Sequence, residues 1–474
     1  MEFLAGPELE KVIGKRLTKE TMKKAIDFGL EMQKKLAEME TEEKLGVMEE
    51  LGRRWSSSLD AGELDELVGK LSSKTGYCEK IVLMDLEFVS TLLDPEVISL
   101  SLEHSLPEGL ESLDAFVEVR KGELYRCIPA GPVFVIGSGN SVLPVMISGI
   151  FSLMTNNFTI IRPSSSNKEA VFQIFSILRR IGEEETPIGM IAREISNSSL
   201  VFYEEPEGKV LEFLLKESEV GVVNFWGADP ALSEVVRSVS SNPNHPRLSL
   251  LGPLTGYAIV HRGADLEEAA RSLAEAMVYY DQQLCSSPTE ACFIGDFKQA
   301  KEFAEKVGRE LEALTSEFPI RKSEYEIYLT QSTRNILRMR GSYLVVPKDR
   351  GPEWTIAVTE GKSNLDAAFA RLPDFTLPAR RRFIELIVVS SEPEAVERVK
   401  MQKEREPFKG IMGIQTVGLA APRAAFDSIA SSLAECGVYR VVPLKDMHLR
   451  SPIEPFDGRH LVRDFVNILY VRRE

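Results

Sequence analysis

From about residue 115 onward the chain alternates short, near-continuous apolar runs with segments of helical length and period, and few folds accommodate that pattern. The runs at 133–136, 158–161, 200–203, 220–223 and 257–260 lack the polar alternation of a strand with one wet face, so each is expected to be buried on both faces. The stretches between them, 142–153, 168–181, 207–216 and 230–239, place apolar residues three and four apart, as helices do. Strand, helix and strand in repeated order give βαβ units around a parallel sheet, a doubly wound α/β domain. A second alternating block starts at Asp265, with a helix through Ala269, Leu273, Ala276 and Met277 that runs into Cys285, then a strand at 291–294. It continues through strands at 343–346, 355–358 and 384–389 and a helix through Ala425, Ile429 and Leu433, which makes a second α/β domain. No repeat or low-complexity linker separates the blocks, so the boundary is placed at the charged turn around Gly263.

Residues up to about 75 read as helices. Met22, Ala25, Ile26, Gly29, Met32, Leu36 and Met39 form one apolar stripe among Lys and Glu, a packing face, and because the pattern breaks at Gly46 and Gly52 a solvated helical layer over a core is expected in place of a partner-specific coiled coil. Asp60 and Glu63 have the spacing of a capping box that starts a helix through Leu64 and Leu67. With 474 residues, two or three domains are expected, and 43% hydrophobic with 27% charged residues excludes a disordered or disulfide-scaffold chain. A formal charge of −15, with no basic run clear of acidic neighbours, argues against a nucleic-acid groove. The start of the chain lacks a basic stretch followed by an apolar one, and the longest apolar run, 141–154, is too short to span a bilayer, so a cytoplasmic protein is expected. Five cysteines without a CxxC pair and five scattered histidines give no support to a disulfide framework or a metal site.

Three segments could carry chemistry. In Gly131-Pro-Val-Phe-Val-Ile-Gly-Ser-Gly-Asn140 a buried strand ends in Gly137, Ser138, Gly139 and Asn140 just before a helix, where ligands gather in parallel sheets. Val142 stands where a dinucleotide fingerprint has its third glycine, so a tight turn with Asn140 as helix cap competes evenly with a ligand loop. In Ile160-Ile-Arg-Pro-Ser-Ser-Ser166, Arg162 offers a fixed cation and the serines offer hydroxyls, suited to a phosphate or a ribose; a helix N-cap is the plainer account of Ser164 to Ser166. In Tyr279-Tyr-Asp-Gln-Gln-Leu-Cys-Ser-Ser-Pro288, Cys285 lies on a turn that a substrate can approach, whereas Cys292 sits inside an apolar run and reads as core. On local context alone a buried inert thiol is the leading account of Cys285, because unpaired cysteine is among the most buried residue types.

In this order and spacing the three segments resemble the aldehyde dehydrogenase superfamily, and more narrowly the LuxC-type fatty acyl-CoA reductases that supply aldehyde in bacterial bioluminescence. The resemblance covers residues 90–474, and its sharpest marks are Gly139-Asn140, Phe225-Trp-Gly227 and Gln282-Gln-Leu-Cys-Ser-Ser-Pro288, with Asp457-Gly458 near the end. It implies an aldehyde dehydrogenase-like α/β fold with two doubly wound domains, an N-terminal helical segment and a small oligomerisation element. The implied division is 1–114 as the helical segment of the cofactor domain, 115–263 as the nicotinamide dinucleotide-binding domain, 264–440 as the catalytic cysteine domain and 441–474 as a C-terminal return with an oligomerisation strand. Carried over by residue, Cys285 matches the nucleophile and Asn140 the oxyanion-hole amide. Arg162 and Ser165 fall at the cofactor ribose, and Gly139 with Phe225, Trp226 and Gly227 falls around the turn beneath the pyrophosphate.

Departures from the superfamily pattern narrow the expected reaction. Leu250 stands where hydrolytic members carry the glutamate that activates water, so an acyl-enzyme thioester here is expected to exchange with a thiol such as coenzyme A. The glutamate that holds the nicotinamide ribose has no clear counterpart among Arg380, Arg381, Arg382 and Phe383. Ser165 replaces the ribose-binding acid of NAD-specific members, which removes repulsion against a 2′-phosphate and favours NADPH while permitting NADH. The resemblance thus implies reduction of a fatty acyl-CoA to aldehyde by a homo-oligomer, with an acyl-transferring protein as a further partner. The competing readings are a non-acylating aldehyde dehydrogenase with another water base such as Glu290, and a non-catalytic scaffold assembling through a hairpin at 115–127 and a strand at 465–471. His245 and His460 are left undecided between site and surface turn.

Overall fold

The computed structural model describes residues 2–473, which form two compact units, one made of residues 2–75, 82–251 and 451–473 and the other of 76–81 and 252–450. The first contains β1 (Glu2–Ala5), β2 (Val117–Arg120), β3 (Glu123–Pro129), β4 (Val133–Ile136), β5 (Thr159–Arg162), β6 (Ser199–Tyr203), β7 (Val222–Trp226) and β8 (Arg247–Leu251). The second contains β9 (Leu254–His261), β10 (Pro288–Ile294), β11 (Tyr343–Val345), β12 (Thr355–Glu360), β13 (Phe383–Val389), β14 (Gly413–Ala420) and β15 (Arg440–Pro443). The chain then returns to the first unit as β16 (Val466–Arg472).

In the first unit the larger sheet runs β1-β6-β5-β4-β7-β8 among the described residues, with β6, β5, β4, β7 and β8 parallel and β1 antiparallel at the edge. Strand order proceeds outward from β4 through β5 and β6 and then restarts on the other side with β7, so a topological switch point lies between β4 and β7. The apolar faces of β4, β5 and β6 meet the helix Lys19–Ala37 in one core, and Met22, Ala25 and Ile26 of the expected stripe are part of it. A separate sheet, β16-β3-β2, is antiparallel throughout and contains the hairpin and terminal strand that the sequence marked.

One local expectation is corrected in the helical arm, the helix start at Asp60. The helix Thr41–Asp60 runs through Gly46 and Gly52 without a break, because Leu45, Met48, Leu51 and Trp55 keep its inner face buried and tertiary packing outweighs the modest cost of glycine. Asp60 therefore ends that helix, and the next begins at Asp65.

In the second unit the sheet runs β11-β12-β13-β10-β9-β14-β15, parallel except at the β11 edge. Here β9, which reads from sequence as a continuation of the first sheet, lies between β10 and β14. Continuous apolar character reports burial on both faces, and both sheets impose it, so hydropathy alone does not say which sheet a strand joins.

Candidate functional site

Cys285 lies in the second unit on the turn between the helix Leu266–Val278 and β10, and it is part-exposed. The chain reaches it through three consecutive non-glycine residues in the left-handed region, Tyr280, Asp281 and Gln282, with φ of 51°, 49° and 67°. Such conformations cost of order 1–3 kcal/mol each and persist only where the surroundings hold them. The hold is visible. The Asp281 carboxylate, 1% exposed, accepts from Arg382 Nε at 2.7 Å and from Arg381, and Arg382 is itself fully buried. Gln282 Oε1 accepts from the Phe383 N–H at 2.8 Å while its amide donates to the Pro288 carbonyl at 2.6 Å, tying the turn to β13 and to the start of β10.

Past the cysteine, the Ser287 carbonyl accepts from Gly256 N–H at 3.0 Å. A Cβ at residue 256 would lie 2.3 Å from the Ser286 carbonyl oxygen and 2.6 Å from that of Ser287, so only glycine lets β9 approach this turn. Ser286 is held from the other side by His448, whose Nδ1 lies 3.3 Å from Ser286 Oγ and whose Nε2 lies 3.3 Å from the Ala276 carbonyl. A carbonyl only accepts, so Nε2 carries the proton and Nδ1 receives the serine hydroxyl. Burial pushes the imidazole down to about 4, and a neutral ring is what both contacts require. Finally, Gln415 Nε2 donates to Cys285 Sγ at 3.0 Å.

The glycine and serine segments meet in the first unit. Asn167 donates to the carbonyls of Ser138 at 2.9 Å and Ser141 at 2.8 Å, and Ser166 Oγ donates to the Gly139 carbonyl at 2.7 Å. Ser164 and Ser166 are 2.9 Å apart at their hydroxyls, so the serines knit the two loops together in place of capping the helix Lys168–Gly182. Nor is Asn140 a helix cap. Its Oδ1 accepts from Ser138 at 2.9 Å, while the start of the helix Leu143–Met154 is met by Asp85, which accepts from Val142 N–H at 2.8 Å and Ser141 Oγ at 2.5 Å. Asp85 drew no notice in the sequence because a single acid on an amphipathic helix carries no motif.

The ends of β5, β4 and β7 lie side by side at the switch point. Arg162 donates from Nε and Nη2 to the Glu204 carbonyl at 3.1 and 2.7 Å, with its guanidinium 5.5 Å from the Tyr203 ring centroid, and Ser165 is exposed nearby in sequence. Phe225 is buried, and the Trp226 indole N–H donates to Ser148 Oγ at 2.8 Å, which fixes the strand end just before Gly227. Asp85 at one helix start and Asp229, which accepts from Ser233 N–H at 3.1 Å, at the next place carboxylates where a pyrophosphate would otherwise find bare N–H groups. A dinucleotide at these strand ends would meet Arg162, the exposed Ser165 and the backbones of Gly139 and Gly227.

The remaining candidates separate cleanly. Glu290 is fully buried in a two-oxygen pair with Arg405 Nη1 at 2.7 and 2.6 Å; burial lifts its carboxyl to about 7 against the pull of the arginine. Cys292 is fully buried 2.8 Å from the Tyr257 hydroxyl, and burial pushes it up to about 12, the inert thiol expected. Leu250 packs against the first unit's core. His460 contacts Ser105 Oγ at 3.3 Å and His245 is exposed on a turn with φ of 49°. Among the described residues no group of His, Cys, Asp and Glu is arranged to hold a metal, and no helix is long and apolar enough to cross a membrane.

This fold is that of the aldehyde dehydrogenases. Lactaldehyde dehydrogenase from Escherichia coli superposes with a TM-score of 0.68 at 13% identity, covering 96% of this chain and 92% of that one. Glyceraldehyde-3-phosphate dehydrogenase GapN from Methanocaldococcus jannaschii, complexed with NADP, gives 0.67 at 13% identity, covering 97% and 95%. Within that class, residues 36–468 match the acyl-CoA reductase (LuxC) family, and the chain belongs to it. It is 24% identical over 253 residues to the long-chain acyl-protein thioester reductase of Aliivibrio fischeri, a match covering 52% of this chain and 49% of that protein. The match thus spans about half the length of such relatives.

Proposed function

We propose that the protein reduces an acyl thioester, in the first place a fatty acyl-CoA, to its aldehyde through a thioester on Cys285. The observation that carries this reading is a part-exposed cysteine on a turn held by an ion-pair clamp and touched at its sulfur by an amide donor, in a chain of the acyl-CoA reductase family. Cys285 Sγ attacks the carbonyl as thiolate to give a tetrahedral adduct, which collapses by breaking the substrate's C–S bond, and the departing thiolate takes a proton from water. The oxyanion that develops is assigned to the Asn140 amide and the Cys285 backbone N–H; loss of one such donor typically costs about 10²–10³ in rate. A reduced nicotinamide cofactor, when bound, supplies the hydride that brings the acyl group to the aldehyde level. Cys285 then leaves as thiolate and is ready for another acyl group.

NADPH is the preferred cofactor in this reading, supported by Arg162 and by the uncharged Ser165, with NADH admitted because nothing at Ser165 repels a free ribose. Glu290 is a poor candidate for a water-activating base while it is bound to Arg405 and sealed from solvent, which disfavours the hydrolytic alternative. The relatives' name makes an acyl-protein thioester a second donor, and β16, with Ile468, Leu469 and Tyr470 exposed, is the surface proposed for homo-oligomer formation. NADPH oxidation driven by long-chain acyl-CoA tests the reading: Cys285→Ala is expected to abolish it while NADPH binding persists, and turnover by that variant would overturn the assignment.

A further inference from the structure

We propose that Gln415 is a catalytic residue that holds Cys285 Sγ as the attacking and departing thiolate by donating its amide N–H to the sulfur. Sequence places Gln415 in an unremarkable strand, Gly413-Ile-Gln-Thr-Val-Gly-Leu-Ala420, 130 residues beyond the cysteine. In β14 it is the residue out of register: Ile414 pairs with Thr255 and Thr416 pairs with Gly256, leaving Gln415 unmatched between them. A bulge of this kind re-aims a side chain, and bulges recur beside active sites. The strand between Gln415 and the cysteine turn is β9, and at the level of the bulge it presents Gly256, on which the Ser286 and Ser287 carbonyls already close. Gln415 is 2% exposed, and its Nε2 lies 3.0 Å from Cys285 Sγ.

The direction of that bond decides what it does. An N–H aimed at sulfur is a charge-assisted donor to a thiolate and a weak one to a thioester, so it favours the sulfur while it carries the electron pair, before attack and again when the C–S bond to product breaks. Several charged and titratable groups on the packed elements are engaged elsewhere, among them Arg440 of β15, which donates to the carbonyls of Met447 and Asp446 at 2.9 Å each. Asp281 is clamped by Arg381 and Arg382, His448 is neutral on Ser286, Glu290 is paired with Arg405, Tyr257 is on Cys292, and Arg380 donates to the Pro407 carbonyl. β14 carries no charged side chain of its own. What the thiolate is for rests on the thioester-reductase reading; its stabilisation by Gln415 does not.

The test is the pH dependence of Cys285 alkylation by iodoacetamide, read by mass on the peptide containing residue 285, in wild type, Gln415→Leu and Gln415→Glu. Wild type is expected to titrate below the ordinary thiol value of about 8.5. Gln415→Leu is expected to raise the apparent pKa by about one unit, which is about tenfold less thiolate at neutral pH, and Gln415→Glu by more. Ultraviolet thiolate absorbance of wild type against Cys285→Ala gives the same titration without any Gln415 variant. A wild-type value at or above the ordinary one, or profiles that coincide across the folded variants, overturns the proposal. Shifted profiles in a protein that does not reduce acyl thioesters would refute the functional reading and leave the role of Gln415 standing; coincident profiles in an active reductase would do the reverse.

Discussion

Replacing Asp281 with alanine leaves Arg382, 0% exposed, as an uncompensated buried cation. Breaking a buried pair in this way costs about 3–5 kcal/mol, a large part of the total stability of an ordinary domain. Arg381 loses less, because it also donates to the carbonyls of Arg321 at 2.9 Å and Gly76 at 3.1 Å. For a unit of roughly 200 residues, 1 kcal/mol corresponds to about 2–4 °C in Tm, so the second unit is expected to melt roughly 6–20 °C lower. The same substitution removes what opposes the cost of three left-handed residues in a row, so the turn relaxes toward ordinary backbone and Cys285 leaves its place beside Gln415. Differential scanning calorimetry measures the first effect, and iodoacetamide labelling at residue 285, well below the new Tm, measures the second. Asp281→Ala with a Tm within about 1 °C of wild type would refute the clamp. A lowered Tm with unchanged labelling would refute its link to the nucleophile.

Three further outcomes follow from named contacts. His448 is depressed from 6.5 to about 4 by burial, so the unfolded chain binds the extra proton first and this group's stabilisation falls as pH drops from about 6.5 toward 4. Denaturant unfolding at pH 7 and pH 5 should show about 2 kcal/mol more acid loss in wild type than in His448→Leu, and equal slopes would contradict a buried neutral imidazole. Gly256→Ala drives a methyl group into the Ser286 and Ser287 carbonyls, with an expected cost of about 1–3 kcal/mol and a fall in Cys285 alkylation of about 10²-fold; calorimetry and labelling near wild type would show that β9 does not need glycine there. Arg162→Gln should weaken NADPH more than NADH in titration calorimetry, and equal losses would remove Arg162 from cofactor discrimination.

Much of this is legible in the residues because it rests on local rules. β4 occupies the residues that its apolar run marks, and the loops after β4 and β5 meet because neighbouring parallel strands bring their carboxyl ends together. Cys285 and Cys292 separate on the same logic, one after a helix in a polar turn and one inside an apolar strand. What holds the nucleophile is not legible. Arg381, Arg382, Gln415 and His448 come from segments 96 to 163 residues away along the chain, and each looks ordinary in its own neighbourhood. The bulge that turns Gln415 exists only in the pairing of β14 with β9, and the close approach at Gly256 only in the pairing of β9 with the cysteine turn. The helix start read at Asp60 and Glu63 failed for the same kind of reason, since the helix Thr41–Asp60, with Leu45, Met48, Leu51 and Trp55 buried, extends through Asp60.

The central claim, that Cys285 accepts an acyl group, is tested most directly by mixing the protein with a long-chain acyl-CoA in the absence of any nicotinamide and mapping the added mass by peptide fragmentation. The account predicts one acyl group on the sulfur of residue 285, released as aldehyde when NADPH is added and absent in Cys285→Ala. An unmodified residue 285, or an acyl group carried on Cys78 or Cys436 in its place, would contradict it.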